Sequence, residues 1–243
     1  MPHLAELIVP GDLPRVPMNV LVELEETVRE RQLNESSGHD WWHTSRVVRL
    51  ALRIGETEGG DQLVVYLAAL LHDIADHKFH DGDEEIGPRT AAELLSARDV
   101  DPAIIAPVRE IIATLSFKGA GVATSMTTLE GKIVQDADRL DAIGALGVGR
   151  AFAYGGKAGR AMHDPTAAPV MHGSFEAYRN ATGTTVNHFY EKLLLLGERM
   201  NTTSGRAVAQ RRMTVMEDFL AEFLREWDGD DALVPSVAEQ SAH

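Results

Sequence analysis

Histidine directly followed by aspartate occurs four times in this chain. The pairs are His39-Asp40, His72-Asp73, His80-Asp81 and His163-Asp164. Three of them lie in polar or glycine-flanked stretches, where a solvated turn or a helix cap is the simpler interpretation. His72-Asp73 instead closes a strongly apolar stretch, and burying a histidine beside an aspartate is costly unless both are paired or bound to a cation. This pair is therefore a candidate metal site.

A metal ion held by His72 and Asp73 needs ligands from elsewhere in the chain, because neighbouring helical residues point about 100° apart. His43 is a candidate, since it lies on the preceding predicted helix, directly after two tryptophans and three residues before Arg46. On residue chemistry alone, a histidine on a helix surface is an equally good interpretation of His43.

A second group of acidic side chains lies in the segment DADRLDAIGALGVGR, where Asp136, Asp138 and Asp141 surround Arg139 on an otherwise apolar helix. Crowded carboxylates repel one another unless positive charge is close by. Asp138 and Asp141 are three residues apart and share a helix face, which fits one metal ligand and one supporting group. The alternative is a salt-bridge network centred on Arg139.

The elements that would position these residues are all predicted to be helices. Apolar spacing predicts a helix over 18–33, one from Asp40 to Gly55 or to Gly59-Gly60, and a strongly apolar one capped by Asp61. Further helices are predicted from about Pro88 to Ala97, from Asp101-Pro102, over Leu129 to Ala153, and as two long helices that close the fold. The stripe Met216, Phe219, Leu220, Phe223, Leu224 and Trp227 predicts that the last one packs on the core.

The intervening stretches 116–128 and 154–173 show no helical period and are predicted to be a loop and a flexible region. We predict an all-α protein with a lead over 1–17, one domain over 18–228 and a disordered tail over 229–243.

Composition limits the classes of function. The 243 residues are 44% hydrophobic and 25% charged, as in one ordinary globular domain. The net charge of −14 argues against broad contact with nucleic acid or an anionic membrane. Without cysteine, a metal must be held by histidines and carboxylates. No segment approaches the roughly 18 apolar residues of a membrane span, so we expect a cytoplasmic protein and leave a homodimer open.

Taken together and in chain order, His43, His72-Asp73 and Asp138 resemble the H…HD…D signature of the HD-domain superfamily of metal-dependent phosphohydrolases. The contexts HTSRV, LLHDIAD and DADRLD match as well. The segment NHFYEKLLLLGERMNTTSGRAVAQRR and the helix that follows it look like the C-terminal part of a small bacterial subfamily, some of whose members resemble nucleoside triphosphate pyrophosphohydrolases. The resemblance implies a single-domain HD-type helical bundle over nearly the whole chain.

The resemblance also implies a ligand set. His43, His72, Asp73 and Asp138 would bind one divalent metal ion, with Asp138 preferred over Asp136 because it occupies the ADRL position of the signature. Imidazole and carboxylate ligands suit Mn, Fe, Co, Ni or Zn better than Ca. Mn²⁺ is the preferred candidate, and Mg²⁺ stays open.

The implied reaction is hydrolysis of a phosphate ester or anhydride of a small molecule, and the preferred reaction is cleavage of a nucleoside triphosphate to monophosphate and pyrophosphate. Asp76 lies where related hydrolases place an acid that orients or deprotonates the attacking water, although a solvated acid at a helix end is the alternative. The positive residues closest in sequence to the ligands are predicted to hold the phosphates: Arg46, Lys78, Arg139 and, in the following loop, Lys118.

Two other functions stay open on the sequence. An HD-type oxygenase with two iron ions needs extra histidines before Asp138, but the next histidine after His80 is His163, which favours one metal unless His77 or His80 is recruited. A non-catalytic, nucleotide-sensing module would keep the metal site without turnover, and the presence of Asp76 argues against that.

Overall fold

Every regular element in the described part of the chain is helical, as predicted. The computed structural model describes residues 3–8, 15–33, 40–75, 83, 85–115, 124–171 and 183–230. The helices are α1 (Met18–Gln32), α2 (Trp41–Glu58), α3 (Gln62–Leu71), α4 (Ile86–Ser96), α5 (Pro102–Thr114), α6 (Leu129–Asp141), α7 (Gly144–Lys157), α8 (Thr185–His188), α9 (Leu194–Leu196) and α10 (Thr203–Asp228). A 3₁₀ turn, Leu4–Leu7, precedes α1. None of the described helices combines the length and the apolar character that crossing a bilayer requires.

Helix α3 lies at the centre of the fold. All ten of its residues are buried, and α2, α5 and α6 pack around it. The predicted cap is confirmed, because the Asp61 carboxylate accepts hydrogen bonds from the backbone N–H groups of Leu63 and Val64. Since α3 has no solvent-facing side, the residues that follow its last turn, His72 and Asp73, begin in the interior of the protein.

Helix α2 has a defined start and end. The side chain of Asp40 accepts a hydrogen bond from the backbone N–H of His43 at 2.8 Å, so Asp40 of the His39-Asp40 pair is a helix cap, as predicted. The helix ends at Glu58 and is followed by Gly59 at φ 89°, a conformation that favours glycine. This confirms the later of the two predicted ends and places His43 in the first turn.

The single helix predicted over Leu129 to Ala153 is wrong. The chain breaks at Ala142-Ile143 into α6 and α7, and Gly144 has φ 76°. A Cβ atom at Gly144 would lie 3.0 Å from Arg212 of α10, so the close approach of α10 requires glycine here. Helix α7 then continues to Lys157, which makes the start of the predicted flexible region helical, and 158–171 carries no helix.

The prediction that two long helices close the fold is wrong for the first of them, which consists of several short helical segments. After α8 the chain makes a π turn, Phe189–Leu193, then α9 and a 3₁₀ turn, Gly197–Arg199. A π turn inserts one residue and changes which side chains face the core, and an apolar run such as FYEKLLLL does not reveal that shift. Helix α10 is long and amphipathic as predicted, with Met216 and Leu220 buried, although Trp227 at its end is 43% exposed. Helix α4 begins at Ile86, two residues earlier than predicted.

Candidate metal centre

Four predicted ligand side chains converge on one point in the structure. Nε2 of His43 lies 3.2 Å from Nε2 of His72. Oδ2 of Asp73 lies 3.3 Å from the first of these nitrogens and 3.2 Å from the second. Oδ1 of Asp138 lies 3.5 Å and 3.9 Å from them. These atoms come from α2, from the turn after α3 and from α6, three elements that the core packs together.

The separations fit a single cation between three of these atoms, with Oδ1 of Asp138 lying farther out at 3.5 and 3.9 Å from the two histidine nitrogens. Ligand atoms bound about 2.1 Å from one ion lie about 3.0 to 3.4 Å apart in octahedral or tetrahedral coordination. The ligand atoms of His43, His72 and Asp73 meet this spacing, and all lie within 4.8 Å of one another. The donor set of two imidazoles and two carboxylates is one that divalent transition metals prefer.

Hydrogen bonds on the far side of each imidazole turn its Nε2 lone pair toward this point. Nδ1 of His43 lies 2.7 Å from the Asp141 carboxylate, and Nδ1 of His72 lies 2.8 Å from the carbonyl oxygen of Ala69. A carbonyl oxygen and an ionised carboxylate can only accept, so both Nδ1 atoms carry the proton. In the neutral rings both Nε2 atoms are therefore acceptors, as metal ligation requires.

Both carboxylates at the centre stabilise positive charge there. Burial lowers the pKa of His72, but the charges of Asp73 and Asp138 and the hydrogen bond to Asp73 outweigh it and raise this pKa to about 9. The negative charges of Asp73 and Asp138 would stabilise a divalent ion at the same place.

Asp141 lies directly behind His43 and is fully buried. Its oxygens also accept from Arg46, with Nε at 2.7 Å and Nη2 at 3.0 Å, and from Arg150, with Nη1 at 2.7 Å. Burial would raise the pKa of Asp141, yet the hydrogen bonds from His43 and Arg46 hold it well below its usual range. Asp141 is thus an anion that orients a ligand, which fits the supporting role predicted from its helix face.

Asp136 has a different task from Asp138, although both lie on α6. It is fully buried, and its carboxylate accepts hydrogen bonds from the backbone and side chain of Asn201 and of Thr202, each at 2.8 Å. It therefore ties α6 to the start of α10. The side chain of Asp138 is 33% exposed and faces the two histidines.

Of the four predicted phosphate-binding residues, Arg46 and Arg139 lie in the described part of the chain, and both bond to other groups of the protein. Arg46 is directed at Asp141, behind the ligand cluster. Arg139 is 6% exposed, and its guanidinium donates to the carbonyl of Arg199 and, at 2.7 Å, to Thr124 Oγ1. Asp76, Lys78 and Lys118 lie outside the described residues, as do His77 and the His80-Asp81 pair.

The sequence interpretation missed Arg150 and Arg212. Arg150 contacts Asp141 from α7, and Arg212 donates to the carbonyl of Leu140 from α10. Arg150 closes the segment DADRLDAIGALGVGR, but its contact depends on the break between α6 and α7, which the sequence pattern did not show. Asp164 accepts from the backbone of Thr166 at 2.9 Å, a turn of the kind predicted for its His-Asp pair.

Comparisons with known proteins agree with this architecture. The family called HD domain matches residues 41–143, a range that contains all four converging side chains. The uncharacterized protein YpgQ of Bacillus subtilis (strain 168) is 38% identical over 204 residues, which cover 82% of this chain and 89% of YpgQ.

Solved structures extend the similarity to the three-dimensional fold. A protein from Lactobacillus plantarum superposes with a TM-score of 0.77 at 36% identity, over 88% of this chain and 99% of that one. An HD-superfamily hydrolase from Bacillus thuringiensis gives 0.65 at 39% identity, over 86% and 99%. YpgQ in complex with ADP gives 0.66 at 31% identity in the structural alignment, over 86% and 98%. The group formed by His43, His72 and Asp73 indicates a divalent metal site. The chain belongs to the HD-domain family and is similar over most of its length to an HD-superfamily hydrolase.

Proposed function

We propose that this protein is a metal-dependent phosphohydrolase that cleaves a nucleoside triphosphate to the monophosphate and pyrophosphate. The observation that carries the proposal is the convergence of two histidine nitrogens at 3.2 Å with both of their other nitrogens fixed as donors. Such lone pairs repel unless a cation or proton lies between them. The proposed ligands are His43, His72, Asp73 and Asp138, and Mn²⁺ is the preferred ion.

The choice of a nucleotide rests on a relative. The structure of YpgQ with ADP supports a nucleotide as the ligand class for a chain 38% identical to it. The net charge of −14 means that a polyphosphate must be met by local positive charge. Since Arg46 and Arg139 donate to groups of the protein itself, Lys78 and Lys118 are our preferred phosphate ligands.

When bound, a divalent ion would polarise a phosphoryl oxygen and lower the pKa of a coordinated water. Asp76, three residues after Asp73, is proposed to orient that water and to accept its proton. The water oxygen forms a bond to the α-phosphorus, the bond from this phosphorus to the bridging oxygen breaks, and pyrophosphate leaves. One water is consumed, and the released proton passes from Asp76 to solvent.

The first experiment is a nucleotide panel with purified protein and Mn²⁺ or Mg²⁺, with phosphate and pyrophosphate measured separately. We expect pyrophosphate and nucleoside monophosphate in equal amounts. In ¹⁸O-labelled water, attack at the α-phosphorus places the label in the monophosphate, whereas attack at the β-phosphorus places it in pyrophosphate. Tight nucleotide binding without turnover would replace the proposal by the sensing module, and two bound irons per chain would replace it by the oxygenase.

The role of Asp76 needs a variant that separates metal binding from turnover. Asp76→Asn should keep the bound metal and lose turnover by about 10²-fold or more, because general base catalysis contributes roughly that much. Asp83→Asn is the matched control, since Asp83 is an exposed acid of the same segment that bonds Arg89 at 3.0 Å. Equal activity in the two variants would remove Asp76 from the mechanism.

A further inference from the structure

Two arginines from different helices and one histidine bond the buried carboxylate of Asp141. Arg46 of α2 and Arg150 of α7 both bond to it at 2.7 Å, and its remaining donor is the imidazole of His43 at 2.7 Å. The side chain of Asp141 has no exposed surface, whereas those of Arg46 and Arg150 are 32% and 22% exposed. The two arginines thus cover the carboxylate on the side away from the ligand cluster.

Arg150 makes a second contact, at the end of the helix that carries the proposed ligand Asp138. Its Nη1 atom also donates to the main-chain carbonyl of Asp141 at 3.2 Å. Arg212 of α10 donates to the carbonyl of Leu140, one residue earlier. These carbonyls belong to the last turn of α6, where that of Leu140 also accepts from the backbone N–H of Ile143 at 3.2 Å. The same turn follows Asp138, so arginines from two other helices hold the end of the helix that carries this ligand.

We propose that Arg150 and Arg46 are positioning residues that act through Asp141 to fix the tautomer and orientation of His43, and that this network sets the affinity of the site for its metal ion. The inference rests on the metal site of the proposed function. It adds to that function the residues that keep His43 competent to bind an ion.

The physical argument follows from the acceptor strength of Asp141. A carboxylate held ionised by two guanidinium groups can only accept, so it forces the proton of His43 onto Nδ1 and leaves Nε2 free for an ion. If Arg150 is removed, Oδ2 of Asp141 loses its charge-assisted bond, and the buried carboxylate becomes a less firmly placed acceptor. The imidazole of His43 can then turn or change tautomer, which costs affinity for the ion.

A purely structural role would make a different prediction. Asp136 is an equally buried acid on the same helix, but it bonds Asn201 and Thr202 and no ligand. Damage at Asp136 should lower the stability of the fold without changing the state of the His43 ring. Substitution of Arg150 should change the tautomer or orientation of the His43 ring and lower the metal affinity even where the fold is retained.

The test compares Arg150→Met, Arg150→Lys, Asp141→Asn and the control Arg53→Met, in which an exposed arginine of α2 is replaced. Calorimetric titration of Mn²⁺ into chelator-treated protein gives the affinity. Long-range ¹H–¹⁵N NMR of the Zn²⁺-loaded and metal-free proteins gives the tautomer of His43. We expect Asp141→Asn to weaken metal binding about 10- to 100-fold, with Arg150→Met weakened in the same direction, Arg150→Lys partly restored and Arg53→Met unchanged.

Affinities for Arg150→Met and Asp141→Asn within twofold of the wild type, with Nδ1 of His43 still protonated, would overturn the inference while leaving the proposed function intact. Failure of the wild-type protein to bind a divalent ion would overturn the proposed function itself. If Arg150→Met does not fold, Arg46→Met removes the other guanidinium that bonds Asp141. A loss of metal affinity in that folded variant supports the inference, and unchanged affinity contradicts it.

Discussion

His43 and His72 face each other through their Nε2 atoms at 3.2 Å, and each ring is held in place by a hydrogen bond from its Nδ1 atom. The two acceptors, Asp141 and the carbonyl of Ala69, lie on different elements of the core. Two neutral imidazoles in this arrangement direct lone pairs at each other, so the site is stable only when a cation or a proton is shared there. This relationship gives the first prediction.

Replacing either His72 or Asp138 with alanine should abolish metal binding and turnover while the helical fold is kept. The measurements are metal content after dialysis, circular dichroism, and the thermal midpoint with and without Mn²⁺. An ion that binds only the folded state adds about 2.7 kcal/mol at 100 times its Kd, so the wild-type midpoint should rise with Mn²⁺ and the variant midpoints should not. His163→Ala, whose ring contacts Phe223 and Trp227, should respond like the wild type. Full activity of metal-free Asp138→Ala protein would rule out the scheme.

Asp136 and Asp138 should show opposite effects when each is changed to asparagine. Asp136→Asn puts an amide among the donors of Thr202 and Asn201 and should lower the free energy of unfolding by about 2–4 kcal/mol, while the metal stoichiometry of the folded fraction stays unchanged. Asp138→Asn should cost the metal-free protein about 1 kcal/mol or less but lose metal affinity. Chemical denaturation and metal titration of both variants check this. The assignment of roles fails if Asp136→Asn loses the metal and Asp138→Asn does not.

The start of α10 should not tolerate a methyl group at Gly205. A Cβ atom there would lie 2.3 Å from Oδ2 of Asp136 and 2.8 Å from Oγ1 of Thr202, so Gly205→Ala should destabilise the fold by about 1–3 kcal/mol. Gly149→Ala is the matched control, because a Cβ at this exposed position of α7 meets nothing within 4 Å. That variant should gain about 0.5–1 kcal/mol from helix propensity. Equal thermal midpoints for the two variants would contradict the close contact between α6 and α10.

His188 should make the fold sensitive to acid. Burial lowers its pKa to about 3, and the positive charges of Lys192 and Arg160 act in the same direction. The unfolded chain, with a pKa of about 6.5, therefore binds a proton that the folded protein excludes, and the free energy of unfolding falls as the pH drops from about 6.5 toward 3. The slope contributed by one proton is about 1.4 kcal/mol per pH unit.

The measurement for His188 compares the wild type with His188→Gln by denaturation between pH 7 and 4.5, in chelator so that metal loss does not contribute. The difference in stability between the two proteins should change in favour of His188→Gln as the pH falls. Parallel curves over this range would show that His188 does not titrate as its surroundings predict.

Much of the fold follows from local features of the sequence. The spacing of apolar residues in α1, α2 and α10 and the caps Asp40, Asp61 and Asp101 are encoded within a few residues, so the helices and most of their starts could be predicted. The break at Ala142-Ile143 and the π turn at Phe189–Leu193 could not, because each depends on how distant helices pack. Gly144 adopts φ 76° to admit Arg212, which is 68 residues away in sequence.

The candidate site divides in the same way. The types of the candidate ligands follow from the sequence, since the chain has no cysteine and His43, His72-Asp73 and Asp138 offer imidazole and carboxylate groups. The family resemblance preferred Asp138 over Asp136 as the ligand, but that Asp136 ties α6 to α10 is evident only from the packing of the helices. Only the tertiary structure decided that Arg46 and Arg150 meet at Asp141. These choices depend on contacts between residues up to 98 positions apart, and a pattern along one helix carries no information about what packs against it.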